Sequence, residues 1–269
     1  MIRVAVFGAT GRMGQTLCRL IAEAEDLQLV GAATEPGHAS IGQDAGSVAG
    51  MPALGVVVTD NASAAVASCQ VAIDFTLPVA VPQNVAACVA AEAAMVMGTT
   101  GLSAEQHAIL EESAARIPIV YGRNMSVGIN VLTELVRLAS RALGNDYDVE
   151  ITEAHHGKKL DAPSGTALQL GETVAHERGT SLETSAVYDR HSSSAARRPG
   201  SIGFTSIRAG SIVGDHTVML AADEEIIELK HRALDRAAFA RGALRAARWI
   251  VAQPAGLFSM QDVLGLDGR

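Results

Sequence analysis

Basic residues are scarce in this chain. Lys and Arg number 21 against 29 Asp and Glu, a formal net charge of −8. No Lys/Arg stripe interrupts that balance, so nucleic acid is not expected as a partner. Cysteine is scarcer still: Cys18, Cys69 and Cys88 stand apart among apolar neighbours. Three thiols without paired spacing build neither a disulfide framework nor a cysteine metal site, and buried free thiols are expected. No apolar run approaches the length of a membrane span, so no membrane partner is expected. The opening residues, Met-Ile-Arg-Val-Ala-Val-Phe-Gly, lack the basic start, apolar core and cleavage site of a secretory signal. A soluble, cytoplasmic protein is expected. There is no internal repeat.

What is present is apolar residue in quantity. At 48% hydrophobic over 269 residues, the chain can bury a substantial core and fill one large domain or two smaller ones. In the first half, short β-branched runs recur at 2–7, 27–33, 56–58, 71–75, 95–97 and 117–121. Ala-rich stretches of helical spacing lie between them, at 12–24, 62–67, 81–91 and 103–115. Ser103 and Gln106 form a capping-box pattern at the start of the last. Such alternation predicts a parallel sheet with helices on both faces. After about residue 128 the pattern changes. A helix at 131–143 leads to a strand at 148–152, a histidine-rich segment and a helix from Ser164. Residues 181–199 read as an exposed loop. Strand-like runs at 201–208, 211–213, 216–221 and 225–231 then follow without intervening helices, which predicts a second, α+β domain with an antiparallel or mixed sheet. A helix at 235–251 closes the chain. The fold class is therefore α/β: a Rossmann-type parallel-sheet domain with a second α+β domain.

Gly8-Ala9-Thr10-Gly11-Arg12-Met13-Gly14 follows the first strand run and opens the first helix. Gly8 permits a tight turn, Gly11 lets a pyrophosphate approach the backbone, and Gly14 allows close helix–strand packing. Glu35 lies 21 positions beyond Gly14, where an acid accepts hydrogen bonds from an adenosine ribose. Two further loops, Gly98-Thr99-Thr100-Gly101 and Gly122-Arg123-Asn124-Met125, follow the fifth and sixth strand runs. Ligands bind at such carboxyl ends of parallel strands, so these loops are expected to complete a dinucleotide pocket.

The densest chemistry lies at residues 153–166, Glu-Ala-His-His-Gly-Lys-Lys-Leu-Asp-Ala-Pro-Ser-Gly-Thr. So many titratable groups are costly to desolvate unless they pair or react. Ser164-Gly165-Thr166 opens a helix whose amides and dipole would hold an anion. His155 and His156 admit three readings. As metal ligands they are poorly disposed, since adjacent residues in an extended segment point to opposite sides, and neither H-x₃-H nor H-E-x-x-H spacing is present; no metal is expected. They could be a satisfied structural pair near a sheet edge. The lysines and the helix start favour a division of labour, one ring as general acid and the other as anion binder. A Lys beside a histidine could also donate a proton. Together with the dinucleotide pocket this predicts a reductase acting on an electron-poor C=C or C=N bond of a carboxylated substrate.

The chain resembles the 4-hydroxy-tetrahydrodipicolinate reductase family, formerly dihydrodipicolinate reductase, of the diaminopimelate and lysine pathway. The resemblance spans essentially the whole chain. It is carried by Glu153-Ala154-His155-His156-x-x-Lys159-x-Asp161-Ala162-Pro163-Ser164-Gly165-Thr166-Ala167, with support from Gly8–Gly14, Gly98–Gly101, Asn124-Met125-Ser126-Val127-Gly128 and Arg208-x-Gly210-x-x-Val213-Gly214-x-His216. It implies His155 as catalytic acid/base and Lys159 as proton donor, with Lys158 at a variable position. His156, Ser164, Gly165 and Thr166 would hold a substrate carboxylate, so that a small dicarboxylate is the partner. It further implies a nucleotide-binding domain at 1–126 plus 236–269, a substrate-binding and oligomerisation domain at 127–235, and a homotetramer. The position after the ribose-binding acid, often Arg in that family, is Pro36 here. NADH is accordingly the expected cofactor, with NADPH usable. Another Rossmann dehydrogenase and a non-enzymatic NAD(H) sensor are the alternatives.

Overall fold

The computed structural model describes residues 1–191 and 195–266. It forms two compact units, Met1–Val127 with Arg236–Arg269, and Gly128–Asp235. Residues 192–194 of the expected loop and 267–269 of the expected first domain lie outside the described residues.

The first unit alternates strand and helix as its sequence periods require. Its elements are β1 (Ile2–Phe7), α1 (Arg12–Ala22), β2 (Leu27–Ala33), α2 (Ala45–Val48), β3 (Val58–Thr59), α3 (Ala62–Val66), β4 (Val71–Asp74), α4 (Val81–Ala90), β5 (Ala94–Met97), α5 (Ala104–Ala114) and β6 (Pro118–Tyr121). All pairings are parallel, in the order β3-β2-β1-β4-β5-β6, with one more strand beyond β6. The sequence therefore leaves β1 in two directions, towards β2 on one side and β4 on the other. That reversal opens a crevice at the carboxyl ends of the strands. Alternate residues of β1 serve opposite faces: Val4 and Val6 belong to one buried cluster, Ala5 and Phe7 to the other. Each large side chain so buried contributes on the order of 1.5–3 kcal/mol. The Ser103 capping box is present as expected, and Cys18, Cys69 and Cys88 are free and buried.

The second unit contains α6 (Val127–Leu143), β7 (Asp148–His155), α7 (Gly165–Glu177), α8 (Leu182–Ser185), β8 (Ala186–Val187), β9 (Ile202–Arg208), β10 (Gly214–Ala221) and β11 (Ile226–Ala233). Its sheet is mixed, in the order β11-β10-β7-β9-β8, with β7 parallel to β9 and antiparallel to β10. Val149 and Ile151 of β7, Phe204 of β9 and Val218 of β10 pack with Leu170 and Val174 of α7. The chain then returns to the first unit as α9 (Ala237–Ile250), β12 (Gly256–Phe258) and α10 (Met260–Leu264). β12 extends the parallel sheet beside β6. α9 lies so close to the main chain after β6 that a Cβ on Gly242 would stand 1.7 Å from the Met125 carbonyl oxygen.

Several expectations are corrected. α6 starts at Val127 rather than 131, because burial of Ile129 and Asn130 outweighs the weak helix propensity of the Val-Gly-Ile-Asn start. β7 runs through His155 rather than ending at 152. It is a central strand, and its polar last turn finds backbone partners on both sides. Residues 211–213 are not a strand. β9 and β10 flank β7, so the link between them must cross the end of β7, and Ala209 N donates to His155 O there. The 181–199 segment contains α8 and β8. β12, α10 and α2 carry too little periodic pattern to be read from sequence.

Candidate active site

In the first unit, Gly8 has φ +76°, the left-handed conformation that favours glycine. A Cβ on Gly14 would stand 2.1 Å from the Gly8 carbonyl oxygen, so α1 can meet β1 only with glycine there. Gly11 is the N-cap of α1 and brings no side-chain cap, and the first turn has no acidic residue. The Gly11 amide closes the turn by donating to the Gly8 carbonyl oxygen at 3.0 Å, and the amides of the first helical turn that follows remain a place for a pyrophosphate. Thr10 Oγ1 lies 2.7 Å from Thr34 Oγ1, and the Thr34 hydroxyl donates to Glu35 Oε2 at 2.8 Å. Because Thr34 has one proton, Thr10 donates to Thr34, and the pair orients Glu35. Backbone amide and Thr34 hydrogen bonds hold the Glu35 carboxyl below the usual carboxylate range. Pro36 adds no amide donor beside it. His38 Nδ1 accepts the Ser40 amide, while its Nε2 lies 3.9 Å from Glu35 Oε1. Sequence reasoning missed Thr34, His38 and Arg236. Burial, followed by the neighbouring charge of Arg12, lowers the Arg236 pKa, so two guanidinium groups share the glycine-loop region.

The other two loops are placed at the ends of β5 and β6, with different duties among their residues. Thr99 is buried, and its hydroxyl donates to Asp74 at 2.8 Å while accepting the Thr76 amide. Only its main chain is available to a cofactor. A Cβ on Gly98 would strike the Phe75 ring at 2.4 Å. Thr100 and Arg123 are exposed. Asn124 Oδ1 accepts the Ser126 amide, and Met125 is a core side chain packed by Gly122.

In the second unit, sheet register assembles what the sequence scatters. His155 pairs across the sheet with Arg208 of β9, and Glu153 with His216 of β10. Paired residues point the same way, so all four project from one face of the sheet, the face that carries Val149 and Ile151 into the core. α7 begins over this polar end: the Ser164 amide donates to Glu153 Oε1 at 3.2 Å and the Ser164 hydroxyl caps the Ala167 amide. Glu153 is buried and accepts from both Arg208 terminal nitrogens at 2.9 and 2.7 Å. Burial pushes its carboxyl up. Hydrogen bonds from Arg208, Ser206 and His155 overcome that and leave it at about 2.

With Glu153 ionised, His155 Nδ1 is the donor in the 2.6 Å contact to Glu153 Oε2. Burial, the largest influence, lowers the His155 pKa; Glu153 raises it, and with the positive charges of Lys159 and Arg208 added the net shift is downward. Glu153 is already committed to Arg208, so the resting imidazole is neutral with the Nε2 lone pair open. Gly214 leaves room for that edge; a Cβ there would stand 3.2 Å from Nε2. His216 is buried against the His155 ring, centroids 5.2 Å apart, and its Nε2 meets the Ser164 hydroxyl at 3.0 Å. Lys159 Nζ pairs with Asp161 at 2.9 Å. His156 Nδ1 is buried without a protein partner, as suits a group that meets a ligand. The exposed Gly165 has nothing within 4 Å of where a Cβ would be, so the open space beside the helix start is not required by packing. Glu153 and Arg208 were legible only as motif members; their roles come from the register.

Burial of His216, reinforced by the nearby His155, pushes its pKa from an ordinary 6.5 to about 4. The unfolded chain therefore binds a proton between these values that the folded chain refuses. Unfolding free energy is expected to fall as pH drops from 6.5 towards 4, by up to ~3 kcal/mol. Glu153 acts in the same direction lower down, from 4.5 towards 2. Urea titrations across this range check the point, and an unchanged slope in His216→Gln would remove His216 as the cause.

Among the described residues, no group of three or more His, Cys, Asp or Glu side chains is placed to hold a metal ion. The family model described as "Dihydrodipicolinate reductase, N-terminus" matches residues 2–125, and "Dihydrodipicolinate reductase, C-terminus" matches residues 128–264. The chain is 50% identical over 266 residues to 4-hydroxy-tetrahydrodipicolinate reductase of Anaeromyxobacter sp. (strain Fw109-5), covering 99% of this chain and 98% of the relative. It is 49% identical over 265 residues to the enzyme of that name from Burkholderia ambifaria (strain MC40-6), covering 98% and 100%. Among solved structures it is similar to dipicolinate-bound dihydrodipicolinate reductase from Paenisporosarcina sp. TG-14, with TM-score 0.74, 26% identity and coverage of 97% and 98%. A myo-inositol dehydrogenase from Corynebacterium glutamicum ATCC 13032, 17% identical with TM-score 0.61 and coverage of 99% and 94%, shares the fold alone.

Proposed function

Because the chain belongs to the dihydrodipicolinate reductase family, we propose that it reduces 4-hydroxy-tetrahydrodipicolinate to tetrahydrodipicolinate in the diaminopimelate and lysine pathway. The observation that carries this reading is the buried Glu153–Arg208–His155 network beneath the start of α7. It combines a positioned proton carrier with an anion cradle, the two properties a reductase of a carboxylated ring needs.

The nicotinamide nucleotide supplies a hydride when bound. The uncapped start of α1, with Gly8, Ala9, Thr10 and Gly11, fits its pyrophosphate, and Glu35 fits its adenosine ribose. The loops Gly98-Thr99-Thr100 and Gly122-Arg123-Asn124-Met125 line the same crevice. In the second unit the Gly165 and Thr166 amides and His156 take a substrate carboxylate. A dianionic substrate raises the pKa of His155 by its own charge. His155 then carries a proton on Nε2 in the complex that it lacks at rest, while Glu153 keeps Nδ1 protonated and the ring fixed. Lys159, held by Asp161, stands as the second donor. NADH oxidation should proceed only with freshly made substrate. Cofactor binding without turnover would make the protein a nucleotide sensor.

NADH is the preferred cofactor in this reading. Glu35 repels the 2′-phosphate of NADPH and Pro36 offers no cation, whereas Arg12 attracts it. With a rigid residue beside the acid, repulsion wins by about tenfold in kcat/KM, or ~1.4 kcal/mol. Pro36→Arg should raise NADPH use at low salt. A wild-type preference for NADPH, or no gain in Pro36→Arg, would show that this position does not set the choice. The reading also includes a cytoplasmic homotetramer assembled through the second unit's sheet. Thr152, Thr205 and Thr217 share the sheet face opposite the core. Sedimentation equilibrium at micromolar concentration should give four chains; a monomer would refute the assembly.

A further inference from the structure

At its opposite end α7 meets a second concentration of positive charge. Arg178 caps α7, 13 helical residues beyond Ser164, which at 1.5 Å per residue sets the two ends about 20 Å apart. An open cavity of ≈ 480 Å³ lies there, lined by Asn145, Arg178, Thr180, Thr184, Arg198 and Gly200 among others, and no carboxylate lines it among the described residues.

Arg178 is unusually placed. Nη2 donates to the Tyr147 carbonyl oxygen at 2.6 Å, but Nε and Nη1 are buried without a partner. Burial, followed by the charge of Arg197, lowers its pKa, and Asp148 opposes them only in part. Asp148 is itself paired with Arg197 at 2.6 Å, and Glu150 also pairs with Arg197. The nearby acids are therefore shared with another cation. A basic residue at a helix C-terminus commonly bonds the last carbonyls, yet the Arg178 guanidinium reaches Tyr147, outside α7. Arg198 adds a second guanidinium, of which Nη2 donates to the Thr184 carbonyl oxygen. Two arginines and no acid form a surface that accepts planar or tetrahedral oxygens.

We propose that this cavity binds a small oxyanion, the phosphate or carboxylate group of a metabolite, at a site separate from the reductase site. The anion supplies acceptors for the unpartnered Arg178 N–H groups and the counter-charge that the cavity lacks. It is tested by calorimetric titration of the full chain with inorganic phosphate and, separately, with succinate, in saturating pyridine-2,6-dicarboxylate to fill the substrate site. One phosphate or one succinate per chain is expected, and the tighter of the two identifies the source. Arg178→Met and Arg198→Met should each weaken binding at least tenfold. Thr180→Glu, at an exposed position, should abolish it by placing a carboxylate in the cavity. Unchanged pyridine-2,6-dicarboxylate affinity in Arg198→Met and Thr180→Glu shows that they are folded. No binding of either anion to wild type, or equal affinity in these two variants, overturns the proposal. Failure of pyridine-2,6-dicarboxylate itself to bind would count against the reductase reading, leaving the arginine variants to decide this one.

Discussion

His155→Gln is expected to lower kcat by roughly 10²–10⁴, the usual worth of a positioned general acid. The glutamine amide can still donate to Glu153, so the buried carboxylate keeps a partner in place of the 2.6 Å contact from Nδ1. What is lost is a nitrogen that can take and release a proton. NADH affinity should be nearly unchanged, because the residues proposed to hold the nucleotide belong to the other unit. The wild-type pH profiles provide a second readout. Burial and the charges of Lys159 and Arg208 lower the His155 pKa in the free protein, whereas bound substrate raises it. The apparent pKa seen in kcat should therefore lie above that seen in kcat/KM. Parallel losses of NADH binding and turnover in His155→Gln would mark the residue as structural, as would identical pKa values in both profiles.

Gly165→Asp is expected to abolish pyridine-2,6-dicarboxylate binding. The space beside Gly165 is open, with nothing within 4 Å of a Cβ, so the variant should fold. Its carboxylate would even favour the helix start, as an acid in the first turn does. The same placement opposes an arriving dianion. At an effective dielectric near 20, two charges about 4 Å apart repel by ~4 kcal/mol, roughly a thousandfold in affinity before screening. Gly165→Ala, which fills some space without charge, should cost far less. Normal pyridine-2,6-dicarboxylate affinity in Gly165→Asp, measured calorimetrically, would place the anion site elsewhere.

Much of this was already legible in the chain. Short continuous apolar runs and stretches of helical spacing alternate through the first half, and burial on both faces of a parallel sheet leaves that signature because each strand must be apolar throughout. Gly8, Gly11 and Gly14 announce the turn at the end of β1, since only glycine tolerates the φ of Gly8 and the 2.1 Å approach at Gly14. His155, His156 and the Ser164 helix start are neighbours in sequence, so local reasoning could group them.

What sequence could not show are partners brought from far along the chain. Arg208 and His216 lie 55 and 63 positions beyond Glu153 in the chain; their meeting with it depends on β9 and β10 flanking β7 in one register. A shift of one residue would have turned every one of these side chains to the opposite face. The extension of β7 through His155 was hidden for a related reason: Glu-Ala-His lacks strand-like residues, and pairing on both sides compensates for weak propensity. Thr34 and His38 around Glu35, and Arg178 over its cavity, are likewise set by packing. Local composition thus determined the fold class and the chemical vocabulary of this protein. Tertiary structure decided which charges are neutralised and which proton carriers are held in place, because burial and long-range pairing are properties of the assembled sheet.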